Sequence, residues 1–225
     1  MPEASVPSQP ARPGAGDPQI KFERDLSFLR SWLLGKQWWS ATRALEYARG
    51  LHTGIRKDGF TPEFHHQVQI ALNARTLEPF YLEPEAVFVA CFLHDVPEDF
   101  DVGHDEIATR FGDRMRDIVE RLTKKHRGIE KPYDVYFAEI AADQTASLVK
   151  GLDRCHNVWS MRDAFTTEKI TSYADEIDSW FLPMLKTARR SFPEQEPAYQ
   201  NIAHQLRSMR DIYRWALSGP DARAD

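Results

Sequence analysis

The segment Ala86-Val87-Phe88-Val89-Ala90-Cys91-Phe92-Leu93 is apolar without a break and runs directly into His94-Asp95-Val96-Pro97-Glu98-Asp99. Pro84-Glu85 just before it supply a proline for the first helical turn and an acid for the helix N-terminus, so a helix opens there. A helix that is apolar on every side belongs at the centre of a bundle rather than on its surface. Ionisable groups therefore crowd the end of the most deeply buried segment of the chain. Unpaired buried carboxylates are costly, so His94, Asp95, Glu98 and Asp99 need a cation, hydrogen-bond donors or an open cleft, and a divalent metal compensates them best.

Two other polar intrusions can reach the same place. A helix predicted over Thr145 to Met161 turns Ala146, Val149 and Leu152 toward the core, and that side also carries Asp153, with His156 and Asn157 one turn on. A third lies at His65-His66, in a helix predicted from Pro62 to Leu77 by the cap sequence Thr61-Pro62-Glu63. Apolar periodicity does not separate the two histidines, since Val68 and Leu72 follow one and Ile70 and Leu77 the other. Imidazole and carboxylate groups from three helices of one bundle are a common way to hold a divalent ion with positions left open.

The remaining elements are helical as well. Ile107, Phe111, Met115, Ile118, Val119 and Leu122 share one face of a stretch after Gly103, and further helices fit Tyr133 to Ala142, Thr167 to Arg190 and Glu194 to Leu217. No segment alternates with a period of two beside turn signals, so the fold class is all-α. The prolines and glycines of residues 1–19 predict a disordered tail, residues 20–190 a single domain, and residues 191–225 a C-terminal helical extension through which an oligomer or a protein partner could attach. Trp32, Trp38 and Trp39 are expected to pack the first helices, and Trp180, Phe181, Leu182 and Leu185 to form an apolar cluster. His52, His104, His126 and His204 read as surface or structural residues.

Composition narrows the function. The chain has 225 residues, 42% hydrophobic and 28% charged, with a formal net charge of −5 and no basic run able to follow a nucleic-acid backbone, which disfavours duplex binding. Cys91 and Cys155 sit in apolar helical surroundings and read as reduced core residues, implying a cytoplasmic protein. The apolar run from Ala86 to Leu93 is far below the roughly 18 residues that span a bilayer, and the N-terminus lacks an apolar signal core, so no membrane role is expected.

Taken in order, Arg56-Lys57-Asp58-Gly59, His65 after five intervening residues, His94-Asp95 with Glu98-Asp99, Leu122-Thr123-Lys124 and Asp153-Arg154-Cys155-His156-Asn157 resemble the hydrolase domain of the RelA/SpoT homologues, over about Trp38 to Met161. The resemblance implies an HD-type helical bundle in which His65, His94, Asp95 and Asp153 hold one manganese ion. It further implies that Glu98 and Asp99 position and deprotonate the attacking water, with Glu98 as the general base, and that Arg56, Lys57 and Asn157 contact a small-molecule nucleotide substrate. The activity implied is removal of the 3′-diphosphate, as pyrophosphate, from (p)ppGpp or (p)ppApp. Another nucleotide, such as a deoxynucleotide or a nicotinamide dinucleotide phosphate, is the alternative substrate, and pairing with a toxic alarmone synthetase as its antitoxin is the alternative role. Two departures from the family pattern stand out. The proline after Arg56 comes one residue late, at Pro62, and Gly151 replaces a side-chain-bearing residue two positions before Asp153, at a cost of about 1 kcal/mol of helix propensity relative to alanine.

Overall fold

The computed structural model describes residues 18–56, 59–160 and 166–218. As expected, Pro84 occupies the first turn of its helix, α4 (Pro84–Leu93), and every residue from Val87 to Leu93 is buried. Around it stand α1 (Pro18–Gly35), α2 (Trp39–Leu51), α3 (His65–Arg75) and α9 (Gln144–Ser160); α2, α3 and α9 each pack directly on α4. Trp32 and Trp38 close one end, with their rings 4.9 and 5.3 Å from Phe88, whereas Trp39 stays exposed.

The chain leaves α4 through a single turn at His94-Asp95 and starts the short α5 (Val96–Asp99). Pro97 lies in the first turn of α5, where its missing N–H has no helical partner to lose. Two acids thus follow the central helix without a long loop, held at its end rather than waving in solvent.

The amphipathic stretch after Gly103 is two helices, α6 (His104–Phe111) and α7 (Asp113–Leu122), because Gly112 adopts φ +90°, a left-handed conformation that breaks the helix. After α7 comes a two-stranded hairpin, β1 (Lys125–His126) and β2 (Ile129–Glu130), turned by Arg127 and Gly128 at positive φ. Among the described residues the fold is all-α apart from this hairpin and an isolated bridge between Ile55 and Pro62. It is followed by α8 (Tyr133–Ala141).

The single helix expected over Thr167 to Arg190 is interrupted. α10 (Thr167–Glu176) passes through a π turn at Ile177–Phe181 into α11 (Leu182–Ser191). Pro183 lacks the N–H that an uninterrupted α-helix would use, and the widened turn just ahead of it absorbs that loss. The last helix, α12 (Glu196–Leu217), lies against α9, α10 and α11. Its approach to α9 depends on Gly151, where a Cβ atom would sit 2.7 Å from Ile202 Cγ2 and 3.2 Å from Leu185 Cδ2. The missing side chain is what lets the helices meet.

The tail expected over residues 1–19 is shortened from its far end: Pro18 and Gln19 are already the first residues of α1, and residues 1–17 lie outside the described part. Cys91 and Cys155 are free and buried. No helix among the described residues is long and apolar enough to cross a membrane.

Candidate active site

Three helices bring their polar residues to one point. His66 on α3, His94 at the end of α4 and Asp153 on α9 are buried, and each offers a ligand atom within 4.8 Å of the others. His66 Nε2 lies 3.2 Å from Asp153 Oδ1 and 3.6 Å from Asp95 Oδ2. His94 Nε2 lies 3.0 Å from the same Asp95 oxygen and 3.8 Å from Asp153 Oδ1. Four residues therefore converge, and the histidine from α3 is His66, not His65. The imidazole of His65 stays outside that group, its ring 6.1 Å from that of His156 on α9 and 6.4 Å from that of Phe22 on α1.

The change of histidine follows from the loop before it. Arg56 N–H donates to the carbonyl of Thr61 (2.8 Å), and Gly59 at φ +82° turns the chain back toward Pro62. Residues 62–64 form a turn, so α3 begins at His65 rather than at Pro62. Because the helix follows the proline, the extra residue between Arg56 and Pro62 shifts the inward position by one. Counting from Pro62 instead of Arg56 finds His66.

The ring orientations suit a cation. His94 Nδ1–H donates to the carbonyl of Cys91 (3.0 Å), which leaves Nε2 facing the carboxylates, buried and without a hydrogen bond. Asp153 accepts from Asn157 Nδ2 on one oxygen (2.7 Å) and from Lys150 Nζ on the other (3.0 Å). Burial pushes the Asp153 carboxyl up, but the charge of Lys150 and the two histidines outweighs it and holds the group well below the usual range. Burial likewise works against a charged His94, yet Asp95 and Asp153 raise it to about 10. Two carboxylates set against the same pair of imidazoles demand positive charge. Residues with this donor set fit a divalent ion, which would be held by His66, His94, Asp95 and Asp153.

Beside the cluster is a cavity of about 210 Å³ bordered by His66 and Asp95 and also by Arg56, Asp99 and Asn157. Three expected site residues thus share one opening with two of the cluster. Asp99 is raised to about 6, first by burial and then by the negative charges of Asp95, Glu98 and Glu63. Glu98 points elsewhere: its Oε1 accepts the backbone N–H groups of Lys124 and Lys125, and it lines a separate cavity of about 100 Å³ with Lys124, Lys150 and Arg154. Lys57 lies outside the described residues.

Sequence reasoning missed His52 and Gln67, which border the 210 Å³ cavity and are buried, with His52 Nε2 3.3 Å from Gln67 Nε2. A polar side chain directly after His66 in a helix packed on the core was the available signal for Gln67. Lys150 was also missed, although it stands one turn before Asp153 on the same face.

Residues 44–132 match the family model described as HD domain. The matched span holds His66, His94, Asp95, Glu98 and Asp99, while Asp153 and Asn157 come from α9, beyond it. Among curated proteins, the chain is 32% identical over 152 residues to the probable guanosine-3′,5′-bis(diphosphate) 3′-pyrophosphohydrolase of Synechocystis, covering 63% of this chain and 19% of that protein. It is 30% identical over 147 residues to the guanosine-3′,5′-bis(diphosphate) 3′-pyrophosphohydrolase of Aquifex aeolicus, covering 63% and 20%. This chain thus spans about a fifth of the length of these relatives. A solved structure of a metazoan orthologue of SpoT, described as hydrolysing ppGpp, superposes with a TM-score of 0.56 at 23% identity, over 74% of this chain and 95% of that one. That likeness is one of fold.

Proposed function

We propose that this chain is a metal-dependent hydrolase, working in the cytoplasm with manganese, that removes the 3′-diphosphate from a guanosine or adenosine alarmone. The observation that carries the reading is the junction of two sets of groups: His66, His94 and Asp153 within reach of one ion, with Asp95 against both imidazoles, and Arg56, Asp99 and Asn157 on the cavity beside them. The names of the Synechocystis and Aquifex relatives support the choice of substrate.

A divalent ion supplies positive charge to the phosphate oxygens and lowers the pKa of water. The chain's own residues do the rest. Arg56 presents a planar fork of donors suited to a phosphate or to stacking on a base. Asn157 fixes Asp153 and borders the nucleotide's side of the cavity, with Lys57 as a further substrate contact. Asp99 takes the proton of the attacking water, a role its position favours over Glu98, whose carboxylate is committed to the Lys124 and Lys125 amides. Water oxygen bonds to the 3′-linked phosphorus, the bond from that phosphorus to the ribose O3′ breaks, and pyrophosphate departs while O3′ is protonated.

The test is to incubate the purified chain with manganese and a panel of guanosine and adenosine alarmones, deoxynucleotides and nicotinamide dinucleotide phosphate, identifying products by mass. Pyrophosphate together with the 5′-phosphorylated nucleoside is expected from the alarmones. Turnover of only the other nucleotides, or of none, overturns the assignment.

A further inference from the structure

A larger cleft than either at the histidine cluster lies between α11 and α12, with a volume of about 460 Å³. Its lining separates into two chemical halves. Leu182, Leu185 and Ala203 supply an apolar wall, while Lys186, Arg189 and Arg207 supply three cations. Asp178 is the acid in the lining, and both of its oxygens are already taken, one by Arg210 and the other by Arg214 at 2.8 Å. Arg189 has Glu196 no nearer than 3.9 Å, and Lys186 and Arg207 pair with no carboxylate among the described residues.

Lys186 and Arg207, with no counter-charge among the described residues, and Arg189, paired with Glu196 only at 3.9 Å, focus positive potential into the cleft on a chain of net charge −5. The volume falls within the roughly 300–1,000 Å³ of small-molecule sites, which also combine apolar walls with a few convergent polar groups. Guanidinium forks match phosphate oxygens, and an ammonium adds a point charge to them. An inorganic anion would use only one half of this lining.

We propose that the α11–α12 cleft binds a phosphorylated organic anion of nucleotide size, its phosphates on Lys186, Arg189 and Arg207 and its apolar part against Leu182, Leu185 and Ala203. The site is separate from the histidine cluster and independent of the reaction assigned there. The two lie on opposite sides of α9, since Leu185 both lines the cleft and abuts Gly151.

Calorimetric titration of the full chain with GTP, which carries no 3′-diphosphate, tests the site; ATP, inorganic pyrophosphate and citrate are the comparison probes. GTP or ATP should bind more tightly than pyrophosphate and citrate, and the Lys186→Glu/Arg207→Glu variant should weaken that binding on the order of tenfold or more. Arg56→Ala, at the other site, should retain it. Both substituted positions are exposed, and Lys186→Gln/Arg207→Gln, which should also lose affinity, guards against a folding artefact. The proposal is overturned if no probe binds at about 1 mM, if charge reversal leaves affinity unchanged, if Arg56→Ala abolishes binding, or if pyrophosphate or citrate binds as tightly as GTP.

Discussion

The Nδ1 atoms of His66 and His156 lie 2.7 Å apart in a buried contact. One proton can occupy that contact. Burial first, and then the neighbouring charges of His66, Arg56 and His65, push His156 down to about 2, so it is neutral and its Nδ1 is able to accept. A His66 whose Nε2, set against Asp95 and Asp153, holds an ion carries its proton on Nδ1 and donates it to His156. His156→Ala should lower metal affinity by roughly 10- to 100-fold, the usual scale for losing the partner of a metal-binding histidine. Manganese titration checks this, and His156→Gln, which keeps an acceptor, should recover part of the loss.

The two adjacent histidines give a direct comparison. His66→Ala should release the metal, whereas His65→Ala should retain it, because it is His66 whose Nε2 lies against Asp95 and Asp153. Metal content after dialysis decides between them. Retention by His66→Ala together with loss by His65→Ala would reverse the assignment.

Asp99 and Glu98 separate in the same manner. Asp99→Asn should cost roughly a hundredfold or more in turnover with metal still bound, the scale expected for removing a positioned acid or base. Glu98→Gln keeps an oxygen able to accept the Lys124 and Lys125 amides and should lose less than about tenfold. Turnover of the two metal-loaded variants is the measurement.

Much of this arrangement is legible before any coordinates. The unbroken apolar run of α4 announces the central helix, and the acids at its end announce a charge that must be met. What escapes sequence reading is local. The hairpin at Lys125–His126 and Ile129–Glu130 has strands too short to show alternation, and the break at Gly112 interrupts no apolar period, since Ile107 and Met115 still face one core. The choice between His65 and His66 is made by the length of the loop before them, because helix phase is fixed by where the helix starts, which a count from Arg56 does not reveal. Glu98 and Asp99 are neighbours in sequence but diverge because one reaches two free amides beside the hairpin.

Gly151→Ala should destabilise the protein although alanine is the better helix former. The gain of about 1 kcal/mol in propensity is opposed by about 1–3 kcal/mol of overpacking, because the new Cβ would lie 2.7 Å from Ile202 Cγ2. A net loss near 1 kcal/mol lowers Tm by about 2–4 °C in a chain of this size. Thermal melts should show the loss, and Ile202→Val in the same chain, which removes a methylene but keeps Cγ2, should leave most of it in place, while Ile202→Ala relieves the clash.

Glu83 gives a pH dependence with a defined sign. Its bonds to Arg114, partly opposed by burial, hold its carboxyl down at about 2. A depressed folded-state pKa contributes stability that is complete above the unfolded value of about 4.3 and disappears as pH falls toward 2. Glu83→Gln should therefore lose stability relative to the parent at pH 7, and the difference should shrink through this acid window. Chemical denaturation at both ends of the window checks it.

The contact of Lys150 Nζ with Asp153 Oδ2 at 3.0 Å has a meaning for the life of the protein. Asp153 has a cation of its own chain beside it from the moment α9 forms, so the bundle can be completed before any metal arrives. On the hydrolase reading proposed above, chelation should then silence turnover without melting the fold. On that reading the supply of free divalent ion is a throttle on a standing population of finished molecules, each ready to resume work when the ion returns, with no new synthesis and no refolding.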